Sequence, residues 1–526
     1  MRLIPRIRTR FLAVEDGFSM IVVMGVMAAS SLFVAAAFSA ATGDLPLTRD
    51  SQDRKQAYAA AEAGINYYQY HLNQDPDYWT RCTTVPAPNA TENQPVNQAW
   101  NGSGTDPRRW RKVAGTPTEY TLELIPANGY SSCSVGNQST MIDPATGTFE
   151  VRSTGRPRTK SKMKRSLLAQ FRRRSFLDFL YFTDFETTDP INYSSNQSWA
   201  QANCGDKYRA QRSSSCQEIQ FAPADEIKGP FHTNDDILTC GSPGFGRDSS
   251  DSIEFSGPAP GYTRLGGSSC SGSPEFRGPR RAGVKALTMP PTNNTLQTVA
   301  QSGGLVYQGK TTIRFNTTGN MTVPNSLVNG GNPQTRALPG NGVIYVANRT
   351  GGCGTVPPPS NANYAEPSSC GNLYVSGTYS SSLTLAAQND IIIRPPTGSS
   401  NGDLIGSGNS VLGLVANNFV RVYHPVSDCD NVSPVMKNVR IDAAILSLAH
   451  SFTVDNYNCG AKLENLTVNG AIAQKYRGAV GTSGGTGFIK DYNYDDRLRY
   501  RSPPFFLEPI AASWHVVRSN EQVSPR

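Results

Sequence analysis

The segment "FHTNDD" contains the residue types of a hydrolase site: His232, Asn234, Asp235 and Asp236. Glycoside hydrolysis uses two carboxylates about 5–10 Å apart, but adjacent aspartates in a strand point to opposite faces. In a turn, Asn and Asp side chains bond to neighbouring backbone groups, and we favour this interpretation. The sequence also lacks a P-loop, a GxSxG and an HExxH motif. It therefore predicts no enzyme active site and no cofactor.

A second group of acidic residues, Asp184, Glu186 and Asp189, lies in "TDFETTDP". Carboxylates are the oxygen ligands that calcium prefers, but the spacing does not match an EF-hand loop. The cysteines form no CxxC pair and no Cys/His cluster with zinc spacing. We therefore predict no metal site.

The ten cysteines are an even number and stand in loops rich in Ser, Gly and Asn. Such cysteines indicate disulfides and an oxidising, extracytoplasmic location. Five bonds between sequence neighbours are the simplest pairing, although sequence alone does not determine the connectivity. The disulfide candidates are Cys82, Cys133, Cys204, Cys216, Cys240, Cys270, Cys353, Cys370, Cys429 and Cys459.

Composition sets the broad class of the protein. A chain of 526 residues has room for two to four domains or one elongated domain. Only 17% of residues are charged, and Gly (48) and Pro (36) are somewhat high, which is typical of an exported β-rich protein. Much of the net charge of +8 comes from the N-terminal arginines and the run "RPRTKSKMKRSLLAQFRRR". We interpret this run as a solvated face beside a strand pair and expect no nucleic-acid partner.

An uncharged segment from Phe18 to Thr42 follows the N-terminal arginines and precedes Asp44. It is long enough to span a bilayer and longer than a signal-peptide core of roughly 7–15 residues. The positive-inside rule then predicts a cytoplasmic N-terminus and an exported remainder. Because small residues at 35–37 imitate a signal-peptidase site, cleavage there remains the alternative.

The junction "EDGFSM" places a charged leader directly before Gly17, Phe18 and the apolar segment. It resembles the class III leader of type IV pilins, which a dedicated prepilin peptidase cuts after the glycine. The resemblance implies cleavage after Gly17, a methylated Phe18 as the new N-terminus, and retention of the apolar helix.

A second helical pattern follows an interruption at Gly43–Pro46. The string "AYAAAEAGINYY" within it resembles the AxxAEAGI element of PilX-type minor pilins and of large K-type pseudopilins. The small residues beside Glu62, namely Ala61, Ala63 and Gly64, are expected to let another helix approach closely. Residues at helical spacing predict one buried face: Ala57, Ala60 or Ala61, Gly64 or Ile65, Tyr68 and Leu72.

One position departs from the major-pilin pattern. Major pilins carry Glu at the fifth mature position, whereas this chain has Val22 there. The departure favours a minor, tip or priming subunit over a repeating one. The resemblance then implies other pilins, the prepilin peptidase and an inner-membrane assembly platform as partners, with a surface glycan or host ligand at the tip.

The C-terminal part of the chain carries a repeat. The strings "LAAQNDIIIRP", "LVANNFVRVYHP" and "LSLAHSFTVDN" align with one another, so that Ala387, Ala416 and Ala449 occupy equivalent places. Repeats built from short strands favour a right-handed β-solenoid, with a β-sandwich as the alternative because the spacing is irregular. The earlier strings "GPFHTNDDILTCG" and "GGLVYQGKTTIRF" fit as initial coils, and the closing "GFIKDYNYDDRLRYRSPPFF" resembles PilX-like proteins of actinobacteria.

Together these patterns predict an α+β protein, with a long pilin-like helix followed by a mainly β ectodomain. Its predicted function is that of a minor pilin-like subunit at the tip of a type IV pilus or secretion filament. A membrane-anchored β-helix enzyme acting on polysaccharide and an anchored surface protein unrelated to pili are the alternatives. The predicted parts are a leader (1–17), the helix (18–75), a small β-rich region (76–175) and a solenoid-like ectodomain (176–526).

Overall fold

The structure is a computed structural model, and secondary-structure elements are numbered in chain order. Its described residues contain three α-helices, which are α1 (Met20–Gln74), α2 (Gln197–Asn203) and α3 (Asn294–Gln301). The described residues are 20–75, 78, 110–125, 141–142, 148–160, 162–324, 332–354, 358–426, 429, 436–482, 485–510 and 512–522.

Helix α1 is continuous over 55 residues, a length of about 80 Å at 1.5 Å per residue. The interruption that we predicted at Gly43–Pro46 is therefore wrong, since the helical backbone runs through it. The prediction rested on the missing N–H of proline and its clash with the preceding turn. Such a defect costs about 3 kcal/mol, and the helical segments 20–42 and 47–74 on either side are long enough to continue through it.

A five-stranded antiparallel sheet, the small sheet, packs against the second half of α1. Its last strand comes from the C-terminal end of the chain and pairs with β4, so residues 174–513 form an insertion between two neighbouring strands. We expected this last strand to belong to the large ectodomain (176–526), and its pairing with β4 corrects that boundary. In sheet order the strands are β1 (Arg111–Lys112), β2 (Thr118–Ile125), β3 (Thr148–Pro157), β4 (Arg165–Arg173) and β29 (Trp514–Gln522).

The remaining strands form the ectodomain, where almost every pairing is parallel. The exceptions among the named strands are β15–β16 and β16–β17, which are antiparallel. The ectodomain strands are β5 (Tyr181–Thr188), β6 (Glu226–Lys228), β7 (Phe231–Thr233), β8 (Ile237–Thr239), β9 (Gly244–Phe245), β10 (Ile253–Phe255), β11 (Tyr262–Arg264), β12 (Glu275–Phe276), β13 (Arg280–Ala282), β14 (Leu305–Gln308), β15 (Thr311–Phe315), β16 (Asn320–Val323), β17 (Gln334–Ala337), β18 (Val343–Ala347), β19 (Leu373–Tyr379), β20 (Leu383–Ala387), β21 (Ile391–Ile393), β22 (Leu404–Gly406), β23 (Leu412–Ala416), β24 (Val420–Val422), β25 (Val439–Ser447), β26 (Phe452–Val454), β27 (Lys462–Arg477) and β28 (Gly487–Tyr494).

Ten of these strands form one parallel row, in the order β14, β18, β20, β23, β25, β27, β5, β7, β10 and β13. The spatial order differs from the chain order. The chain enters the row at β5, proceeds to β13 at one end, and resumes at β14 at the other end. It then returns to β27, which pairs with β5. The strings of β7 and β14, both expected as initial coils, therefore lie in different halves of the row.

The segment 283–304 connects the two ends of the row and covers the sheet on the way. Near its start, the Asn234 side chain donates to the Leu287 carbonyl. Further on, Asn293 donates to the carbonyls of Ala387 and Val415, and α3 then packs on β18. Because this segment covers one face of the sheet and the other face packs in the core, both faces of the strands are buried. Their sequences are therefore continuous apolar runs.

The strand register confirms the predicted alignment of Ala387 with Ala416 and corrects the predicted alignment of Ala416 with Ala449. Ala387 pairs with Ala416, as the alignment of the strings predicts. Ala416, however, pairs with Ser447 and not with Ala449. Shifting by two residues keeps the alternation of faces and places the buried side chains of Leu414 and Ile445 in register.

Four cysteine pairs lie at disulfide distance, and each joins sequence neighbours as the simplest pairing predicts. Disulfides of this kind are typical of proteins from oxidising compartments. Cys82 and Cys133 lie outside the described residues. The pairs are Cys204–Cys216, Cys240–Cys270, Cys353–Cys370 and Cys429–Cys459.

Candidate functional site: the apolar helix and its packing on the small sheet

The first 20 described residues of α1, Met20 to Ser39, form a helix long and apolar enough to cross a membrane. Their mean hydropathy is 2.3 and none of them is buried within the chain. At 1.5 Å per residue they span about 30 Å, the thickness of a hydrocarbon core. Large side chains such as Phe33, 78% exposed, therefore need an apolar environment from outside this chain.

The predicted processing site, Gly17 and Phe18, lies outside the described residues, as does the rest of the leader. Val22 is described and stands on the exposed apolar surface, 48% accessible. Between Met20 and Ser39 the helix carries no charged side chain. A surface of this kind is compatible with lipid or with other apolar helices.

The second half of α1 buries the face that helical periodicity predicts. Ala57, Ala61, Tyr68 and Leu72 have no measurable exposure, and Ile65 is 5% exposed. The side chains of Ala61, Ile65, Tyr68 and Leu72 share one core with apolar residues of the small sheet. Those sheet residues are Tyr120, Leu122, Leu124, Phe149, Val151, Leu167, Ala169, Phe171 and Trp514.

The small residues of this half contact the chain's own sheet, which corrects the expectation that Ala61 and Gly64 face another helix. A Cβ placed on Gly64 would lie 2.2 Å from the Ser153 hydroxyl oxygen. From the sheet side, a Cβ on Gly155 would lie 2.4 Å from the backbone nitrogen of Ala61. Glu62 is exposed and Ala63 is half-buried, so these two lie away from the closest contact.

The basic run is less solvated than we expected, because several of its cations have partners within the chain. Lys160 lies 2.7 Å from Asp53 of α1, and Arg156 lies 2.7 Å from Glu119. Arg172 is buried and donates to the carbonyls of Arg499 (2.5 Å) and Leu498 (3.2 Å). This run therefore ties the small sheet to α1 and to the end of the ectodomain.

Within "FHTNDD", Phe231, His232 and Thr233 form β7, and Asn234 and Asp235 follow it in a buried bend. Asp235 accepts hydrogen bonds from the backbone N–H groups of Glu186 and Arg209 and pairs with Arg212 at 2.5 Å. His232 lies 3.0 Å from a carboxylate oxygen of Glu254. Asn234 and Asp235 therefore confirm the interpretation that these side chains satisfy backbone groups in a turn. Asp236 does not, since its buried Oδ1 has no hydrogen-bond partner within the described residues.

The acidic residues weighed as calcium ligands each have a separate partner. Asp184 accepts from Asn234 at 2.8 Å, Glu186 from Arg477 at 3.2 Å, and Asp189 lies 2.7 Å from His450. Within the described part of the chain, no group of three or more His, Cys, Asp or Glu is arranged to hold a metal ion. Burial raises the pKa of Asp184 to about 6 and that of Glu186 to about 7.

These pKa values predict a specific pH dependence for the substitution Glu186→Gln. In the unfolded chain a glutamate has a pKa of about 4.3, so between about pH 4 and 7 the folded state binds more protons at Glu186. The free energy of unfolding of the wild type therefore falls as the pH rises from about 4 to about 7. We expect the variant to match the wild type near pH 4 and to exceed it by roughly 1–3 kcal/mol at pH 8.

Denaturant unfolding at a series of pH values measures this difference. Glu464→Gln is the control, since that side chain is exposed, and its difference from the wild type should stay near zero throughout. A Glu186→Gln difference that does not change with pH would contradict the prediction.

One buried ionic network was missed by the sequence analysis. Arg421 lies between Asp390 and Asp455, at 2.7 Å from each carboxylate. The three residues belong to three successive repeats, and Arg421 is in β24, between β21 and β26. A charged residue inside an otherwise apolar repeat strand, as in "FVRV", is the sequence signal that would have located the network.

Comparisons with known proteins identify no family for this chain. No family model matches it, and no curated protein matches it. Among solved structures, it is similar to the crystal structure of the competence-associated pilin ComZ from Thermus thermophilus, at 13% identity. The match covers 90% of this chain and 98% of that one, with a TM-score of 0.30. At that score the likeness adds nothing to the interpretation, which rests on this chain's own residues.

Proposed function

We propose that this protein is a minor pilin-like subunit of a type IV pilus or a related secretion filament. The observation that carries the proposal is the two-part helix α1. Its first 20 described residues are apolar and exposed, and its second half is buried on an antiparallel sheet. A bilayer covers the exposed half before assembly, with the N-terminus cytoplasmic, and the helices of neighbouring subunits cover it in the filament.

We interpret the ectodomain as a right-handed β-solenoid. Parallel partners recur once per repeat along Leu385, Leu414, Ile445 and Ile472, each in register with the next. A β-sandwich of immunoglobulin type has antiparallel sheets, which this pairing does not favour. The right hand follows from the strong preference of parallel crossover connections.

We place the subunit at the filament tip, where it primes assembly and contacts a surface. The ectodomain is inserted between β4 and β29, and this bulk suits the tip better than the packed shaft. Val22 supports the same position, because a tip subunit has no subunit ahead whose N-terminal amine needs a carboxylate. The partners would be other pilins, the prepilin peptidase and the inner-membrane assembly platform, and we propose a binding role rather than catalysis.

The mature N-terminus tests the proposal. We expect mass spectrometry of the protein from its native host to find a chain that starts at a methylated Phe18. Gly17→Leu should leave the leader attached and keep the protein out of filaments. Gly25→Ala is a matched control, because an added Cβ there meets nothing within 4 Å. A chain that starts near Ala41 would show signal-peptidase cleavage and refute the proposal.

Location on the filament tests the tip assignment separately. Antibodies against the ectodomain should label filament ends, at one or a few copies each, in immunogold electron microscopy. Labelling along the whole shaft would contradict a tip position while leaving a pilin-like role intact.

A further inference from the structure

A cleft of about 680 Å³ opens on the side of the ectodomain, between the segment after β5 and the corner that joins β25 to β26. Its volume lies within the range of about 300–1,000 Å³ that small-ligand sites occupy. One wall is α2, and the other consists of residues from the β25–β26 corner and from the end of β27. Cys204 directly follows α2 and is bonded to Cys216, so the disulfide anchors the C-terminal end of this wall.

A histidine of fixed orientation lines this cleft. The Nδ1 atom of His450 lies 2.7 Å from the buried carboxylate of Asp189. The imidazole ring also stacks on Phe419, with ring centres 4.4 Å apart and planes within 6°. With Nδ1 engaged by Asp189, Nε2 is the ring nitrogen left to bond to a ligand.

The charges of the cleft are paired within the protein. Besides the Asp189–His450 pair, Lys475 lies 2.6 Å from Asp206. The hydroxyl of Tyr476 donates to the same Asp206 carboxylate at 3.1 Å. Because each charged group of the cleft already bonds to another group of the protein, the cleft does not favour a strongly ionic ligand.

Uncharged hydrogen-bonding groups remain available beside apolar surface. Ser198 and Gln201, one turn apart on α2, are exposed and make no side-chain hydrogen bond within the described part of the chain. A hydroxyl and an amide both donate and accept. Ile191 and Ala449 provide apolar surface in the same cleft.

We propose that this cleft binds a neutral sugar unit of a surface polysaccharide. A pyranose ring combines an apolar C–H face with adjacent hydroxyls that donate and accept, which matches a cleft lined by the apolar Ile191 and Ala449 and by the polar Ser198, Gln201 and His450. The inference rests on the proposed tip role in supposing that the ectodomain faces a surface. It supplies the ligand class for that role.

The test uses the full chain in a zwitterionic detergent without a sugar headgroup, which would otherwise compete for the cleft. Saturation-transfer NMR and a glycan array should detect neutral oligosaccharides of hexoses or N-acetylhexosamines. Gln201→Ala should weaken binding about fivefold, the effect of one hydrogen bond. Ser198→Trp should abolish binding because the exposed position accepts the ring and the ring fills the cleft.

Gln211→Ala is the matched control, since this exposed glutamine lies outside the cleft, in the loop after α2 that Cys204 and Cys216 close. It should bind as the wild type does, and near-ultraviolet circular dichroism should show all three variants folded. Absence of binding to any neutral glycan, binding only to peptides or charged polymers, or unchanged binding by Ser198→Trp would overturn the proposal. Because no arm requires filament assembly, a negative result here is distinct from failure of the pilin-like role.

Discussion

Arg421→Met is expected to destabilise the ectodomain by about 3–5 kcal/mol, the cost of removing one partner from a buried ionic network. The Arg421 side chain is 4% exposed, and its partners Asp390 and Asp455 are 8% and 0% exposed. Methionine occupies similar space but leaves both carboxylates unpaired in a medium that solvates charge poorly. Equilibrium denaturation in urea measures the loss.

The network has a wider role because its members lie in successive repeats. Asp390 precedes β21, Arg421 lies in β24, and Asp455 follows β26. The Asp390 carboxylate also accepts from the Phe419 N–H at 3.1 Å, and Asp455 accepts from the Tyr364 hydroxyl. Loss of the guanidinium therefore weakens three neighbouring repeats together.

The matched control is Arg440→Met, which removes an arginine from an ion pair at the surface. Arg440 lies 2.9 Å from Asp442, but its side chain is 52% exposed. Solvent screens such a pair, so we expect a loss below about 1 kcal/mol. Equal losses in the two variants would show that burial of the Arg421 network does not determine its contribution.

Gly155→Ala is expected to cost about 3 kcal/mol, at the upper end of overpacking effects, and to loosen α1 from the small sheet. The new Cβ would lie 2.2 Å from the Ala57 carbonyl oxygen and 2.4 Å from the Ala61 nitrogen. Both atoms belong to the helix backbone, so no side-chain rotation relieves the contact. The helix must move away and expose the aromatic core around Tyr68.

Hydrogen exchange should then show faster exchange of the α1 amides from 57 to 72, together with a lower melting temperature. Gly266→Ala is the control, since an added Cβ there meets nothing within 4 Å. We expect it to change stability by less than about 0.5 kcal/mol. Unchanged α1 exchange in Gly155→Ala would refute the close-packing argument.

Patterns within one helix or one pair of repeats were predictable from the sequence. The buried face of α1 follows from apolar side chains that recur three or four positions apart, because about 3.6 residues complete a helical turn. The Ala387–Ala416 pairing follows from two strings of similar composition in neighbouring repeats. The register error at Ala449 arose partly because the corner before β26 is longer than the corner before β24.

Contacts between distant segments were not predictable. Ile472 pairs with Tyr181, which lies near the start of the ectodomain, and nothing in either strand specifies that partner. The packing of Gly64 on Ser153 was visible only in the structure. A small residue allows another segment to pack closely but does not specify which segment that is.

The sequence alone therefore determined the exposed apolar helix, its amphipathic continuation and the β-rich repeats, and it made the pairing of neighbouring cysteines the simplest choice. Each of these depends on residue periodicity or on short separations along the chain. The tertiary structure alone decided that the chain enters the row of strands in the middle of the row, at β5. It also decided that β29 completes the small sheet and that α2 and His450 line one cleft. The reason is physical: burial of apolar surface is non-directional, so the choice among distant partners is made by the packing of the whole chain.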